Sequence, residues 1–384
     1  MATFRKVKIK DIANEHRDAY SPSTAEDIPY IGLEHIEQQT LRLSGIGKSS
    51  DVMSQKKRFV IGDVLYGSLR PYFRKVYKPK FNGICSTDIT VLKSKSNCNN
   101  SYLFYLIASP EFISKASGAG TGTKMPRAGW KVVKDFIFDI PDLPTQSRIA
   151  SVLSAYDDLI ENNEKRIKIL EEMAQRLYTE WFVKFKFPGH EKVKMVDSGT
   201  EYGMIPDGWE LAKIDDLFGN VKRKVKLQTG EYQKTGLYPI VDQGKEFIAG
   251  YTDIEDAIYN DNLIVFGDHT RCFKYCNFPF ACGADGTQLL KTNDFERMPQ
   301  ILMYFSVANA GLQNYNYARH FKSLKALNVL RPDSITAKTF NMLISRTYDQ
   351  IRQLRQRDVN VGKLRDLLIP QLVTGKRGLE KHAK

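Results

Sequence analysis

A repeat spanning half a chain dictates two copies of one fold, and this sequence carries such a repeat. Phe4-Arg5-Lys6-Val7-Lys8-Ile9-Lys10-Asp11-Ile12 is answered by Trp209-Glu210-Leu211-Ala212-Lys213-Ile214-Asp215-Asp216-Leu217, with aromatic, isoleucine, aspartate and aliphatic residues in step. Val64-Leu65-Tyr66-Gly67 with Phe73-Arg74 parallels Ile264-Val265-Phe266-Gly267 with Phe273-Lys274. Val91-Leu92-Lys93 likewise parallels Leu289-Leu290-Lys291. The copies close alike, with Trp130-Lys131 and Lys134 ahead of Pro141-Asp142, and Phe321-Lys322 and Lys325 ahead of Pro332-Asp333. Short apolar runs punctuated by glycine read as strands and turns. Two modules of mixed helix and sheet are therefore expected.

After each Pro-Asp the period changes. Leu153, Tyr156, Ile160, Asn163, Ile167, Leu170, Ala174, Leu177 and Trp181 recur at spacings of three and four, which is a seam on a helix running from Ile149 to Trp181 and ending before Pro188. A second helix is expected from Ser334 to Ile369, stopped by Pro370, with Ile344, Tyr348, Ile351, Leu354, Val361, Leu364 and Leu368 as its stripe and Asp358 and Gly362 as interruptions. Each seam needs a cover. That cover is either the core of the helix's own module or the other helix, paired antiparallel as a coiled coil. A helix of this length measures roughly 50 Å at about 1.5 Å per residue, enough to act as a spacer. Asn163 in the seam either fixes register or bonds to a partner chain.

Charge points to the partner. The 57 Lys and Arg exceed 44 Asp and Glu, giving a net charge of +13, so a polyanion is the first candidate. Five cysteines, an odd number, and no apolar secretion core in Met1–Lys10 lead to the expectation of a reduced, cytoplasmic setting. No stretch is apolar enough to span a membrane.

Catalytic patterns are scarce. Gly118-Ala119-Gly120-Thr121-Gly122-Thr123-Lys124 lacks the Gly-Lys-Ser/Thr ending of a phosphate loop, no dinucleotide fingerprint follows a strand, and the tetrapeptide of amino-methyltransferases is missing. The Pro-Asp pairs have no acidic-x-Lys partner for nuclease chemistry. His269, Cys272, Cys276 and Cys282 lack the spacing of zinc knuckles, and no metal site is assigned. The residues suited to work are basic and polar ones at the turns. Ser68, Arg70, Tyr72, Arg74 and Lys75 follow Gly67, and His269, Arg271 and Lys274 follow Gly267. Lys124 and Arg127 have rough counterparts in Arg319, His320 and Lys322, and Lys222, Arg223 and Lys224 form a third basic group. Such side chains donate to guanine edges and phosphates or read other base edges.

Pro141-Asp142-Leu143-Pro144-Thr145-Gln146-Ser147-Arg148-Ile149-Ala150, then Asp158-Leu159-Ile160-Glu161-Asn162-Asn163 and Leu170-Glu171-Glu172-Met173-Ala174-Gln175-Arg176-Leu177-Tyr178, resemble the specificity subunits of type I restriction-modification systems. Trp181-Phe182, Ile205-Pro206-Asp207-Gly208-Trp209 and the stretch from Lys363 through Ile369-Pro370-Gln371-Leu372-Val373-Thr374-Gly375 continue the resemblance over essentially the whole chain. It implies an α+β architecture: target-recognition domains at 1–140 and 189–331, with spacer-helix regions at 141–188 and 332–384. Each module would read half of a bipartite, asymmetric site on double-stranded DNA. The seam residues Leu153, Ile160, Asn163, Ile167, Leu170, Leu177, Trp181, Ile351, Leu354, Val361, Leu364 and Leu368 would serve helix pairing or subunit docking. Two methyltransferase subunits and the restriction motor subunits would be the partners, and S-adenosylmethionine, ATP and Mg would bind to them, with no cofactor on this chain. A free-standing DNA-modifying enzyme and a coiled-coil adaptor are the alternatives.

Overall fold

The protein is described here from a computed structural model, over residues 4–22, 27–120, 125–283, 285–312 and 319–375. By internal contact the chain divides into a first unit, Met1–Asn162 with Arg357–Lys384, and a second unit, Asn163–Gln356.

In the first unit, strands Ala13–Glu15, Ile89–Ser94, Val64–Gly67 and Val76–Tyr77 form one sheet in that order, and Arg5–Lys8 pairs antiparallel with Ile137–Ile140. A five-stranded sheet runs Ala19–Tyr20, Lys56–Phe59, Gly83–Cys85, Pro29–Ile31, Gly47–Lys48. Helices Asn100–Ile107 and Pro110–Ala119 begin where Asn99 and Ser109 accept the backbone N–H of Tyr102 and Phe112. Such caps satisfy amide groups that the first helical turn leaves orphaned.

The second unit repeats this plan. Phe218–Gly219, Thr287–Thr292, Leu263–Gly267 and Phe273–Cys276 form the corresponding four-stranded sheet, and Glu210–Lys213 pairs with Asn328–Arg331. Register shows the duplication residue by residue. Val91 lies opposite Leu65 and Leu92 opposite Val64, while Leu289 lies opposite Val265 and Leu290 opposite Ile264. A parallel strand pairing also recurs in each unit, placing Ile31 beside Cys85 and Val241 beside Cys282. That cysteine match is invisible in a linear reading, because the intervening loops differ in length.

One expected correspondence shifts. Tyr66 pairs with Val76 but Phe266 with Phe273, so Phe273 answers Val76 rather than Phe73. The second hairpin loop is shorter, and the Phe-basic pairs in the sequence coincide without structural equivalence.

The long helices run Leu143–Tyr178 and Ser334–Val373. The first then widens into a π turn, Thr179–Val183, which turns Trp181 and Phe182 into the core. The second passes through Pro370 instead of stopping there. A proline inside a helix costs about 3 kcal/mol. Burial of Ile369, Leu372 and Val373 in the first unit's core opposes that cost.

Each seam is covered in part by the core of its own module, and ion pairs bring the two helices together within each unit. Ile149, Ala150, Leu153, Ile369, Leu372 and Val373 belong to the first unit's core, and Ala174, Tyr178, Phe340, Ile344, Tyr348 and Ile351 to the second's. Within the first unit Asp157 meets Arg365 at 2.5 Å, and within the second Glu171 meets Arg355 at 2.6 Å. Within the second unit Glu171 meets Arg355 and Tyr178 meets Phe340, so contacts on the second helix retreat as the first advances and the two run antiparallel there. Leu153, Ile160, Asn163, Trp181, Ile351, Leu354 and Val361 are buried, and Ile167, Leu170, Leu177 and Leu368 partly so. Leu364 is exposed, contrary to the apolar stripe. The buried face passes through Asp358, Val361, Arg365 and Ile369. Arg365 is buried where hydrophobicity favours its neighbour Leu364, and Asp358, an interruption of the stripe, is buried on the same face.

The Pro-Asp pairs cap these helices. Asp142 accepts the N–H of Thr145, while Asp333 accepts those of Ile335 and Thr336 and, through its other oxygen, the Trp209 indole N–H. Burial pushes the Asp333 carboxyl up, but the backbone and side chain of Thr336 and the Trp209 indole outweigh it and hold it below the ordinary 3.8. Asp333→Ala is expected to lower stability by about 1 kcal/mol at neutral pH. Because the folded-state pKa is depressed, the aspartate's contribution is fully present above 3.8 and fades as pH falls through the folded value. Urea midpoints of wild type and variant should therefore differ at pH 7 and converge in acid. An unchanged gap would remove the charged cap from the account.

Candidate nucleic-acid interface

In each unit the loop after the glycine-ended strand is laced to two other segments by backbone bonds. Ser68 donates its N–H and hydroxyl to the Asp88 carbonyl, at 2.9 and 2.6 Å, and its own carbonyl accepts the Ala128 N–H at 2.9 Å. Arg70 N–H donates to Pro126 at 2.8 Å, and Leu69 and Arg127 pair as an isolated bridge. The second unit repeats the lacing, with Asp268 N–H on Gly286 at 2.8 Å and His320 N–H on Asp268 at 3.0 Å. Ser68, Asp88 and Ala128 thus correspond to Asp268, Gly286 and His320. The two basic groups that the sequence separates, from Arg70 to Arg127 in one unit and from Arg271 to Arg319 in the other, meet at one end of each sheet.

Their side chains divide into presented and committed ones. Tyr72 and Arg127 are exposed and Arg70 half-buried in the first unit. Arg127 lies 3.4 Å from the Asp88 carboxylate. In the second, His269, Arg319 and Lys322 are exposed and Arg271 is half-buried, its guanidinium 3.5 Å from the Leu312 carbonyl. These can meet phosphates or base edges without losing an internal partner that is hard to replace.

Five candidates turn inward instead. Arg74 is buried, with Nε on the Ala108 carbonyl at 2.7 Å. The Lys75 ammonium donates to the Leu33 carbonyl, and burial lowers its pKa. Lys274 is buried likewise, donating to the carbonyls of Asp242, at 2.9 Å, and Glu246, and burial lowers its pKa too. Ser68 is buried in the lacing already described, and His320 is buried with Nδ1 2.9 Å from the Asp268 carbonyl. A cation or hydroxyl beside a turn meets any carbonyl that the fold brings near, and here those carbonyls lie far off in sequence.

Lys222 and Arg223 are exposed, whereas Lys224 donates through its ammonium to the Ile258 carbonyl and stacks over Tyr259. Lys124 lies outside the described residues.

Sequence reasoning missed Gln243. Its amide donates to the Asp285 carbonyl at 2.6 Å, its backbone carbonyl accepts the Thr270 hydroxyl, and its side-chain oxygen faces the His269 N–H at 3.4 Å. Gly286 allows this approach. Its φ is +77°, and a Cβ there would sit 2.8 Å from the His269 ring. The Gly283-Ala284-Asp285-Gly286 stretch was the available signal, since glycines bracketing an aspartate mark a tight turn.

Four of the five cysteines are buried, Cys272 only partly so. Cys276 and Cys282 share a cluster with Val241, Leu263 and Phe280, and burial pushes the Cys282 thiol up to about 11. His269 is exposed on its loop and is not part of that cluster. Among the described residues no group of three or more His, Cys, Asp or Glu could hold a metal ion, and no helix is long and apolar enough to cross a membrane.

Known proteins place this geometry. Residues 1–172 match the family described as Type I restriction modification DNA specificity domain. The chain is 25% identical over 314 residues to the type I restriction enzyme MjaIX specificity subunit of Methanocaldococcus jannaschii, covering 75% of this chain and 71% of that protein. It is 31% identical over 159 residues to the EcoDI specificity subunit of Escherichia coli, covering 40% of this chain and only 35% of that protein. In fold it is similar to the crystal structure of a type I restriction-modification system S subunit from M. genitalium, with a TM-score of 0.56 and 13% identity over 97% of this chain and 96% of that one. The chain is thus similar to the type I restriction enzyme specificity subunits, and its residues 1–172 match their DNA specificity domain.

Proposed function

We propose that this chain is the DNA sequence-specificity subunit of a type I restriction-modification enzyme, and that each unit presents its laced loops to one half of a bipartite site. The observation that carries this reading is the repeated lacing, Ser68–Asp88–Ala128 and Asp268–Gly286–His320, which holds different exposed side chains on one frame. A common frame with Arg70, Tyr72 and Arg127 in one copy and His269, Arg271 and Arg319 in the other suits two unlike half-sites. Phosphate contacts from the exposed cations would set position, and base-edge contacts would specify sequence. The net charge of +13 favours the approach to duplex DNA.

In this reading the long helices form an antiparallel coiled coil that fixes the unread gap between the half-sites. The pairs Asp157–Arg365 and Glu171–Arg355 support it. Exposed Val152, Leu159, Ile169 and Met173 on the first helix suit docking of two methyltransferase subunits, with the restriction motor joining them. The chain itself is non-catalytic. S-adenosylmethionine, ATP and Mg belong to the partners, and the complex works in the cytoplasm.

The test is to sequence methylated adenines in cells expressing the chain with its methyltransferase. A bipartite motif with an unread gap is expected. Methylation without a shared motif would overturn the reading and favour a coiled-coil adaptor whose positive charge is incidental.

A further inference from the structure

We infer that Arg74 is a positioning residue through which the second long helix sets the shape of the first unit's DNA-reading loop, and that in the second unit the helix reaches the corresponding loop only indirectly, through Arg355 over the Phe247 ring at 3.9 Å. This rests on the function proposed above. The Arg74 guanidinium forks three ways, to the Ala108 carbonyl at 2.7 Å, the Gln39 carbonyl at 3.1 Å and the Asp366 carboxylate at 3.0 Å. Asp366, on the second long helix, also accepts from Arg365 at 3.1 Å. Arg365 in turn donates to Asp157 at 2.5 Å and to the Thr40 carbonyl at 3.2 Å. Two arginines therefore clamp two turns, one around Gln39–Leu41 and one around Arg70–Arg74. The turns also hold each other, through Gln39 N–H on the Phe73 carbonyl at 3.1 Å and the Gln39 amide on the Tyr72 carbonyl at 2.9 Å.

Both turns are in a backbone conformation that L side chains resist. Gln39, Leu41, Arg70 and Arg74 have φ of 69°, 66°, 51° and 50°, four of the six non-glycine residues with positive φ among those described. Such turns persist only where surrounding bonds over-determine them. Here the helix supplies part of those bonds, through Asp366 and Arg365, beside the Ala108 and Pro126 carbonyls of the module, and together they fix Arg70 and the exposed Tyr72 at the loop tip. In the second unit the hairpin loop is shorter, Arg271 is the one described residue of that loop with positive φ, and the anchor is Thr270 on the Gln243 carbonyl.

The coupling predicts an asymmetric loss of specificity. Asp366→Ala removes the helix's carboxylate at a side chain 35% exposed, and Arg74→Lys keeps the charge but cannot reach three acceptors. Each full-length variant is to be expressed with its methyltransferase and its methylated adenines sequenced. Arg271→Ala serves as the marker for the second unit's half-site. Expected is relaxation at bases of the half-site that Arg271→Ala leaves intact, with methylation at single-mismatch sites rising at least about fivefold relative to full sites.

Unchanged base preferences in both variants, or equal relaxation of both half-sites, would overturn the coupling. A merely structural Arg74 would lower Tm and total methylation with preferences intact. Should Asp366→Ala fail to fold, Arg74→Lys decides. If wild type yields no bipartite motif, the proposed function fails and the coupling is read separately, by hydrogen exchange of residues 69–74 in the purified chain. Exchange at least about tenfold faster in the variants supports it, and unchanged exchange sinks it.

Discussion

Phe340→Ala is expected to cost the second unit about 3–5 kcal/mol, the range for emptying a fully buried aromatic site. Phe340 is fully buried and lies where three elements converge. Its ring is 5.0 Å from Phe182 edge-to-face, 5.8 Å from Trp181 and 5.9 Å from Phe305. Phe182 and Trp181 come from the π turn that ends the first long helix, Phe305 from the helix Gln300–Ala308, and Phe340 from the second long helix. The hole therefore cannot collapse by moving one side chain. Trp181 and Trp209 are buried in this core, so with Trp130→Phe as background, tryptophan fluorescence reports the second unit alone. A midpoint in urea shifted by less than the equivalent of about 1 kcal/mol would show that the second long helix packs on the second unit's core only loosely.

Arg365→Met is expected to cost the first unit about 3 kcal/mol, toward the low end for breaking a buried ion pair because both carboxylates keep some contact with water. The Arg365 side chain is 3% exposed, against 28% for Asp157 and 35% for Asp366. Its loss strands Asp157, which then keeps only the Tyr105 hydroxyl at 2.5 Å. Adding Asp157→Asn should recover more than half of the loss, since the penalty is an unpaired charge rather than missing volume. Additive losses in a double-mutant cycle would contradict that assignment.

These two sites mark the limits of what the sequence discloses. Phe340 sits on a helix whose apolar period is legible, as are the strands around Val91 and Leu289, because periodicity and turn residues are local signals. Arg365 is not legible. It stands beside Leu364 in a stretch where hydrophobicity favours the leucine, and only tertiary partners 208 and 325 positions away, Asp157 and Thr40, make the arginine the buried residue. The same holds at the candidate interface. That basic residues follow Gly67 and Gly267 was visible. Which of them face solvent was not, since Arg74 and Lys274 are claimed by distant carbonyls while Arg127 and Arg319 are not buried. Gln243 escaped notice because an isolated glutamine carries no pattern. The mismatch of Phe73 with Phe273 has a similar cause, for loop length changes register without changing composition.

The division of the chain also orders events during synthesis. The second unit is one continuous stretch, Asn163–Gln356, whereas the first is completed by residues from Arg357 onward. Domains fold as units while the chain emerges. The Tyr102 hydroxyl waits for the Val373 carbonyl, 271 positions later, and Arg74 waits for Asp366. The half made first is therefore the half finished last, and a chain cut short near Gln356 would hold a complete second unit and a first unit still open.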